Sequence, residues 1–219
     1  GEQVSPSVGR SCSPTSGFHH ARPDECEGFC TFNGLIVAAY NALERGLLGA
    51  DKRVLIVDCD VHYGNGTDAF LGTVASGPKG DFLRRIVNQT SGAAHNHDRT
   101  GPSMLRWLRS MLSHELSKND IGLVIYQAGA DMHASDPLGG FASTEAMCLR
   151  DRTVFEHCRD AGVPVVWNLA GGYQRDREKT IRPVVDLHVI TMIQCVYAFA
   201  YPSRSVGDRN SSVNMKEAT

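Results

Sequence analysis

Apolar residues form three short, nearly unbroken runs along the chain, and each run is followed directly by polar residues or glycines. The runs cover residues 54–57, 122–127 and 163–169. Short runs rich in β-branched residues are typical of strands that are buried on both faces of a sheet. We therefore predict three buried strands.

Between these runs, apolar residues recur at three- and four-residue intervals, which is the spacing of one face of a helix. After Pro102, a residue that suits the first turn of a helix, this spacing holds from Leu105 to Leu116. Gly46 and Gly162 follow two other such segments at positions that favour a helix end. The predicted helices cover residues 33–45, a segment that starts at Pro102, residues 144–160 and residues 183–200.

Three segments lack this periodicity. The first 30 residues are rich in Ser, Pro, Gly and Cys, and they predict a loop. Residues 71–101 are rich in Gly, Ser and Asn, and they give no clear assignment. The polar segment 203–219 predicts a frayed tail.

Helices that alternate with short apolar strands predict an α/β fold, with an open, mostly parallel sheet covered by helices on both faces. The chain has 219 residues, of which 42% are hydrophobic and 21% charged. That length supports one domain with a full core, and it is short for two. We therefore expect residues 1–219 to form a single domain.

Polar side chains follow each predicted strand directly. The first strand is followed by Asp58, Asp60 and His62, the second by Asp131, and the third by two glycines and Tyr173. In open parallel sheets, ligands bind beyond the carboxyl ends of the strands. We therefore expect these five side chains to share one rim of the sheet.

Two carboxylates and one imidazole form a mixed oxygen and nitrogen site, which suits catalytic zinc and also manganese, iron or cobalt. Asp60 and His62 lie two residues apart just after a strand, where both can turn toward one ion, and Asp131 would be the third ligand. The alternative is an aspartate that caps a helix, a solvated histidine and an aspartate in a turn.

Two adjacent histidines, His19 and His20, are the next candidates for chemistry. A histidine pair in a loop is usually solvated, but Asp58 and Asn65 flank the metal-binding string and can fix imidazole tautomers. One histidine could then deprotonate a water and later protonate a leaving group. Tyr173 either packs as an aromatic at the rim or donates a hydrogen bond to the oxyanion of a tetrahedral intermediate. A metal site, a base and a phenol together describe amide hydrolysis.

The net charge and the cysteine content limit the binding partners and the cellular compartment that we expect. The net charge of -2 gives no basic field, so we expect no direct binding of nucleic acid. Seven cysteines without a C-x-x-C pair suit a reducing compartment, and we expect a cytoplasmic protein. The most apolar segment, 184–200, is interrupted by Asp186, His188 and Gln194, which favours a packed helix over a membrane span.

The chain resembles the histone deacetylase and acetylpolyamine amidohydrolase family, and in particular its bacterial-type members. Six segments carry the resemblance in the order of the family, and they span residues 16–173. They are 16–21 (Ser-Gly-Phe-His-His-Ala), 28–33 (Gly-Phe-Cys-Thr-Phe-Asn), 58–67, 127–131 (Gln-Ala-Gly-Ala-Asp), 136–140 (Asp-Pro-Leu-Gly-Gly) and 170–173 (Ala-Gly-Gly-Tyr).

The resemblance implies an arginase/deacetylase-like fold and a bound Zn²⁺ ion. Asp60, His62 and Asp131 match the zinc ligands of the family. Asp58 matches the residue that orients His19 and lends its backbone carbonyl to a structural K⁺ ion.

The resemblance also implies roles in the chemistry. His20 matches the general base and acid, and Asn65 matches its partner, which is Asp in some branches of the family and Asn in others. Tyr173 matches the tyrosine that stabilises the oxyanion. Gly28 and Phe29 match one wall of the tunnel that holds the acyl-lysine side chain.

Two features depart from the family pattern. Family members have a strand and an aromatic, Gly-rich lip loop after the metal-binding string, whereas residues 70–85 are a short stretch with Gly, Ser and Lys. The family's strand and helices before the histidine pair are also missing, and the chain opens on Gly1. We therefore expect either a pared-down member or a fragment with a deletion. For His95 and His97, a solvated loop is favoured over a second metal site.

The sequence thus predicts a zinc-dependent hydrolase that removes an acetyl or related acyl group from an amine, either an acylated protein lysine or a small acylated amine. The rival prediction is a family member that binds acylated ligands or a protein partner without turnover. The missing tunnel wall favours the rival, and the complete set of polar residues favours the enzyme. The sequence leaves an oligomer open.

Overall fold

The computed structural model describes residues 8–73, 78–94 and 99–201. In these residues, five parallel strands form one sheet in the order β1-β5-β4-β2-β3. The strands are β1 (Arg10–Ser13), β2 (Arg53–Asp58), β3 (Ile86–Thr90), β4 (Ile121–Gly129) and β5 (Val165–Ala170). The predicted α/β sheet is therefore confirmed, with β4 at its centre.

The helices lie on both faces of this sheet. They are α1 (Gly34–Glu44), α2 (Asn65–Gly72), α3 (Pro78–Leu83), α4 (Ser91–Ala94), α5 (Gly101–Ser117), α6 (Thr144–Asp160) and α7 (Arg182–Ala200). Val54 and Ile56 of β2 pack in one cluster with α1, and Leu55 and Val57 pack in another with α5, α6 and α7. Successive strand residues point to opposite faces, so covering both faces requires the unbroken apolar run of β2.

Side chains begin three of the predicted helices. Asn33 accepts a hydrogen bond from the backbone N–H of Ile36 at the start of α1. Thr100 and Ser143 accept equivalent bonds at the starts of α5 and α6. These bonds satisfy N–H groups that have no partner inside the helix. The predicted helices at 33–45, from Pro102, at 144–160 and at 183–200 thus correspond to α1, α5, α6 and α7.

Two strands lie where the sequence pattern gave none. β1 lies inside the predicted N-terminal loop and before the histidine pair, so the loop prediction is wrong for residues 10–13, and a strand does precede the histidines. β3 pairs with β2, and it supplies a strand after the metal-binding string that the resemblance treated as missing. Both are short strands at the edges of the sheet, and each pairs on one side only. Their sequences, RSCS and IVNQT, lack the apolar run that identifies a central strand.

The last helix, α7, is long and apolar enough to cross a membrane, and it is the one such helix among the described residues. A core helix of a soluble protein can have the same length and composition. Leu187, Thr191 and Cys195 are buried, whereas Met192 and Val196 are about half exposed. The buried face packs against α6. The predicted tail at 203–219 and the histidines His95 and His97 lie outside the described residues.

Candidate metal and catalytic site

The ends of β2 and β4 bring the three predicted metal ligands together. Asp60 and His62 follow β2, and Asp131 follows β4, its neighbour in the sheet. Nδ1 of His62 lies 3.0 Å from a carboxylate oxygen of Asp60 and 3.0 Å from one of Asp131. One ligand atom from each residue lies within 4.8 Å of the others. This spacing allows one ion to contact all three.

Glycines permit the close approach of these strand ends. A Cβ atom on Gly129 would lie 2.5 Å from Cα of Asp60. Gly171, which follows β5, has φ of 49°, and a Cβ atom there would lie 2.3 Å from the carboxylate carbon of Asp131. A side chain at either position would push a ligand-bearing segment away. The glycines of the QAGAD and AGGY segments therefore serve to shape the site.

The electrostatics of the three ligands favour a cation. Asp60 and Asp131 are both buried, and burial together with the charge of Asp131 raises the pKa of Asp60 to about 7. Hydrogen bonds to Asp131 and Asp60 raise the pKa of His62 to about 10. A divalent cation would offset the repulsion between the carboxylates and displace the proton of His62. The donor set fits a catalytic metal ion with open coordination positions, and two carboxylates with one imidazole suit zinc, manganese, iron or cobalt.

His19 lies next to the metal ligand Asp60 and is held in place by Asp58. Its Nδ1 is 2.8 Å from Oδ2 of Asp58, and its Nε2 is 3.8 Å from Asp60. Burial disfavours the charged imidazole, but the charge and hydrogen bond of Asp58 outweigh this and raise the pKa of His19 to about 9. Gln127 donates to the other oxygen of Asp58, and so does the backbone N–H of Asp60. The carboxylates of Asp58, Asp60 and Asp131 therefore favour the charged form of His19 while the site holds no cation.

His20 has a neutral partner instead. Its Nδ1 lies 2.6 Å from Oδ1 of Asn65, and Nδ2 of Asn65 donates to Glu27 at 2.9 Å. Because the amide donates to Glu27 on one side, its oxygen accepts the Nδ1 proton of His20 on the other, which leaves Nε2 as a base. Burial and the neighbouring charge of His19 lower the pKa of His20. His20 is therefore neutral near pH 7 and able to accept a proton.

Tyr173 follows β5 and lines the same cavity as Asp60 and His19. Its backbone N–H donates to Asp136 at 2.7 Å, which fixes the turn after Gly172. Burial and the charge of Asp131 raise the pKa of Tyr173 to about 12. The phenol therefore keeps its proton at neutral pH and remains a hydrogen-bond donor.

The cavity has a volume of about 270 Å³, and Gly28 and Phe29 lie on its wall. Gly28 has φ of 54°, and a Cβ atom there would lie 2.3 Å from the ring of His20. The ring of Phe29 lies 5.9 Å from that of Tyr173, yet Phe29 is 83% exposed. The ring of Phe29 is therefore open to solvent beside the cavity.

The structure thus brings together all ten site residues predicted from the sequence, and their roles stay predictions. Sequence reasoning missed Gln127 and Asp136 as supporting residues, although both lie in quoted segments. It also missed Glu27, which carries no sequence signal, and Arg150. Arg150 lies on the buried face of α6, and a charged residue at such a position was a signal that could have been used.

Comparisons with known proteins bear on the family. The histone deacetylase domain family matches residues 7–75. An uncharacterised protein of Picosynechococcus is 34% identical over 177 residues, which are 77% of this chain and 57% of the relative. Histone deacetylase 2 of Arabidopsis thaliana is 29% identical over 182 residues, which are 78% of this chain and 46% of the relative. The chain spans about half the length of these two relatives.

Solved structures agree on the fold. Acetylpolyamine aminohydrolase from Burkholderia pseudomallei superposes with a TM-score of 0.60 at 20% identity, over 83% of this chain and 54% of that one. The HD domain of HDA15 superposes with a TM-score of 0.56 at 23% identity, over 87% and 56%. Sequence segments, fold and relatives agree, and the chain belongs to the histone deacetylase and acetylpolyamine amidohydrolase family.

Proposed function

We propose that this chain is a zinc-dependent hydrolase that removes an acetyl or related acyl group from an amine. The observation that carries this proposal is the convergence of three metal ligands, a neutral histidine and a protonated tyrosine on one rim of the sheet. The names of the relatives, histone deacetylase and acetylpolyamine aminohydrolase, support acylated lysines or small acylated amines as the substrate class.

Asp60, His62 and Asp131 would hold the ion. When bound, a divalent cation acts as a Lewis acid that polarises the acyl carbonyl and acidifies water. Two carboxylates and one imidazole leave positions open for water and substrate with any of the metals named above, and the proposal favours Zn²⁺ because the family resemblance implies it. The structural K⁺ ion near Asp58 also stays a proposal. It rests on the family resemblance.

His20 acts as the general base and then as the general acid. Its free Nε2 accepts a proton from the attacking water, and the resulting imidazolium donates that proton to the departing amine. Asn65 accepts from Nδ1 throughout, which keeps the ring in one orientation. The hydrogen bond from His19 to Asp58 holds the second imidazole beside the ligands and favours its charged form.

Tyr173 donates its hydroxyl proton in a hydrogen bond to the oxyanion that forms as the carbonyl is attacked. Such a donor acts mainly in the transition state, because the oxygen gains negative charge there. Phe29 contacts the ring of Tyr173 and offers an apolar surface to the stem of the acylated amine. Both aromatic groups therefore flank the path to the metal site.

A second function has one observation in its favour. Phe29 is largely exposed to solvent, and a substrate stem that stays hydrated against it is positioned less well for reaction. A family member that binds acylated ligands or a protein partner without turnover would show the same geometry. Turnover distinguishes this function from the enzyme.

The decisive experiment measures metal content and turnover on one preparation. The chain is loaded with zinc, and hydrolysis of an acetyl-lysine peptide and of an acetylated polyamine is followed by release of acetate. The proposal expects one zinc per chain and acetate release that stops after chelation and returns with zinc. Bound zinc without acetate release from either substrate would favour the binding protein. A chain that binds no divalent metal would refute both the cofactor and the mechanism.

A further inference from the structure

A fully buried charge lies beneath the candidate metal site. Arg150, on α6, has no exposed surface, and its Nη1 donates to the backbone carbonyl of Gly129 at 2.6 Å and to that of Cys59 at 3.2 Å. Charged side chains are rarely buried completely without a specific partner. The function described above does not account for this residue.

The two carbonyls belong to the strand ends that carry the metal ligands. Cys59 precedes Asp60, and Gly129 lies two residues before Asp131. The backbone N–H of Cys59 donates to the carbonyl of Gln127 at 3.0 Å, and that of Val61 donates to Oδ1 of Asp131 at 3.2 Å. Between these two bonds, the guanidinium of Arg150 also joins the two segments by donating to a carbonyl of each.

The charge of Arg150 is balanced locally. Asp151 accepts from Nε and Nη2 of Arg150, each at 2.8 Å, and it also accepts from Thr191 at 2.6 Å and from Tyr126. This pair therefore adds no net charge beside the metal ligands. Buried ion pairs contribute little net stability compared with well-packed apolar residues. Stability alone is thus a poor explanation for Arg150, whereas its contacts with two carbonyls offer a better one.

We propose that Arg150 is a positioning residue that sets the spacing between Asp60 and Asp131 before a cation binds. This proposal rests on the metal site of the proposed function. Partners outside the ligand set orient the ligands, and their loss costs about tenfold to a hundredfold in metal affinity. Arg150 would act one step further out, through the backbone that carries each carboxylate.

The test removes the contacts without changing the net charge. In the double variant Arg150→Met with Asp151→Asn, both charges disappear together, while an amide at 151 can still accept from Tyr126 and donate to Thr191. We expect zinc affinity, measured by competition with a chromophoric chelator, to fall at least about tenfold. Removing a cation alone would tighten zinc binding, so a charge-neutral variant isolates the geometry.

Two further variants keep the test decisive. Thr191→Val weakens the same buried network on the side away from the carbonyls, so it should lower the melting temperature of the metal-free protein and leave zinc affinity unchanged. Arg150→Lys keeps the charge but has one nitrogen for three partners, and we expect an affinity between those of the parent and the double variant. If the double variant does not fold, Arg150→Lys decides alone.

The outcomes separate this proposal from the proposed function. A parent chain that binds no zinc refutes the metal site itself. A parent that binds zinc, with parent-like affinity in the folded double variant or in Arg150→Lys, overturns the role of Arg150 and leaves the metal site standing. Equal affinity losses in Thr191→Val and the double variant would also overturn it, because general loosening would then explain the result.

Discussion

Replacing Tyr173 with Phe removes one hydroxyl and little else. The hydrogen bond that fixes this residue runs from its backbone N–H to Asp136, so the substitution leaves it in place. The contact between the rings of Tyr173 and Phe29 is also kept. The change therefore tests the hydroxyl group with almost no change in packing.

The magnitude follows from the state of the phenol. Burial and the charge of Asp131 raise the pKa of Tyr173 to about 12, so the hydroxyl is a donor at any pH used for assay. Loss of one oxyanion donor costs about a hundredfold to a thousandfold in kcat, or roughly 3 kcal/mol. The effect should fall on kcat more than on KM, because the bond strengthens in the transition state.

The assay compares zinc content and acetate release for the parent, Tyr173→Phe and Tyr197→Phe. Tyr197 lies on the exposed face of α7, so its substitution is a matched control for the loss of a phenol hydroxyl. We expect full zinc content in all three proteins and a loss of turnover in Tyr173→Phe alone. Turnover of Tyr173→Phe within about threefold of the parent would refute the oxyanion role, since one donor is expected to contribute far more.

The remaining predictions address the metal, the base, the fold and the entrance. Asp131→Ala should lose most bound zinc in elemental analysis, and unchanged occupancy would remove Asp131 from the ligand set. Burial lowers the pKa of His20, so kcat/KM should fall only at acidic pH. A carboxylate in Asn65→Asp would favour the charged imidazole and should move that fall to higher pH. An unshifted pH profile of kcat/KM would contradict the contact between His20 and residue 65. Burial lowers the pKa of His188 to about 4 in the folded protein. As the pH falls below 6.5, the imidazole becomes protonated in the unfolded chain before it does so in the folded one, so the folded state loses stability. The free energy of unfolding should fall by up to about 3 kcal/mol by pH 4. Denaturant titration of His188→Gln should show a smaller loss, and an equal loss would assign the effect elsewhere. With Phe29 exposed, KM should be high and similar for an acetyl-lysine peptide and an acetylated polyamine; tight selectivity for either would show that another segment closes the entrance.

The central fold and the metal site could be predicted because both depend on local patterns. A strand buried on both faces needs an unbroken apolar run, and its carboxyl end must lie at one rim of a parallel sheet. Asp60, His62 and Asp131 could therefore be assigned to one place before their distances were known. The edge strands β1 and β3 escaped this reasoning because they pair on one side only and carry polar residues.

The role of Arg150 could not be predicted from the sequence, for a different reason. Its position on a helix is evident from the sequence, but its partners are carbonyls of Cys59 and Gly129, and backbone atoms leave no trace in residue identity. Glu27 is similar, because its contact with Asn65 joins residues from two loops that only the folded chain brings together. Residues that support a site through the backbone or through another side chain therefore emerge only from coordinates.

The two adjacent histidines illustrate how the structure separates groups that are equivalent in the sequence. His19 faces the carboxylate of Asp58, which raises its pKa to about 9, whereas burial and the charge of His19 lower the pKa of His20. The partner of His20 is the amide of Asn65, which adds no negative charge. Neighbouring groups whose pKa values are pushed apart can divide acid and base roles. We therefore propose His20 as the base, because the neutral imidazole is favoured there, whereas Asp58 favours the charged form of His19.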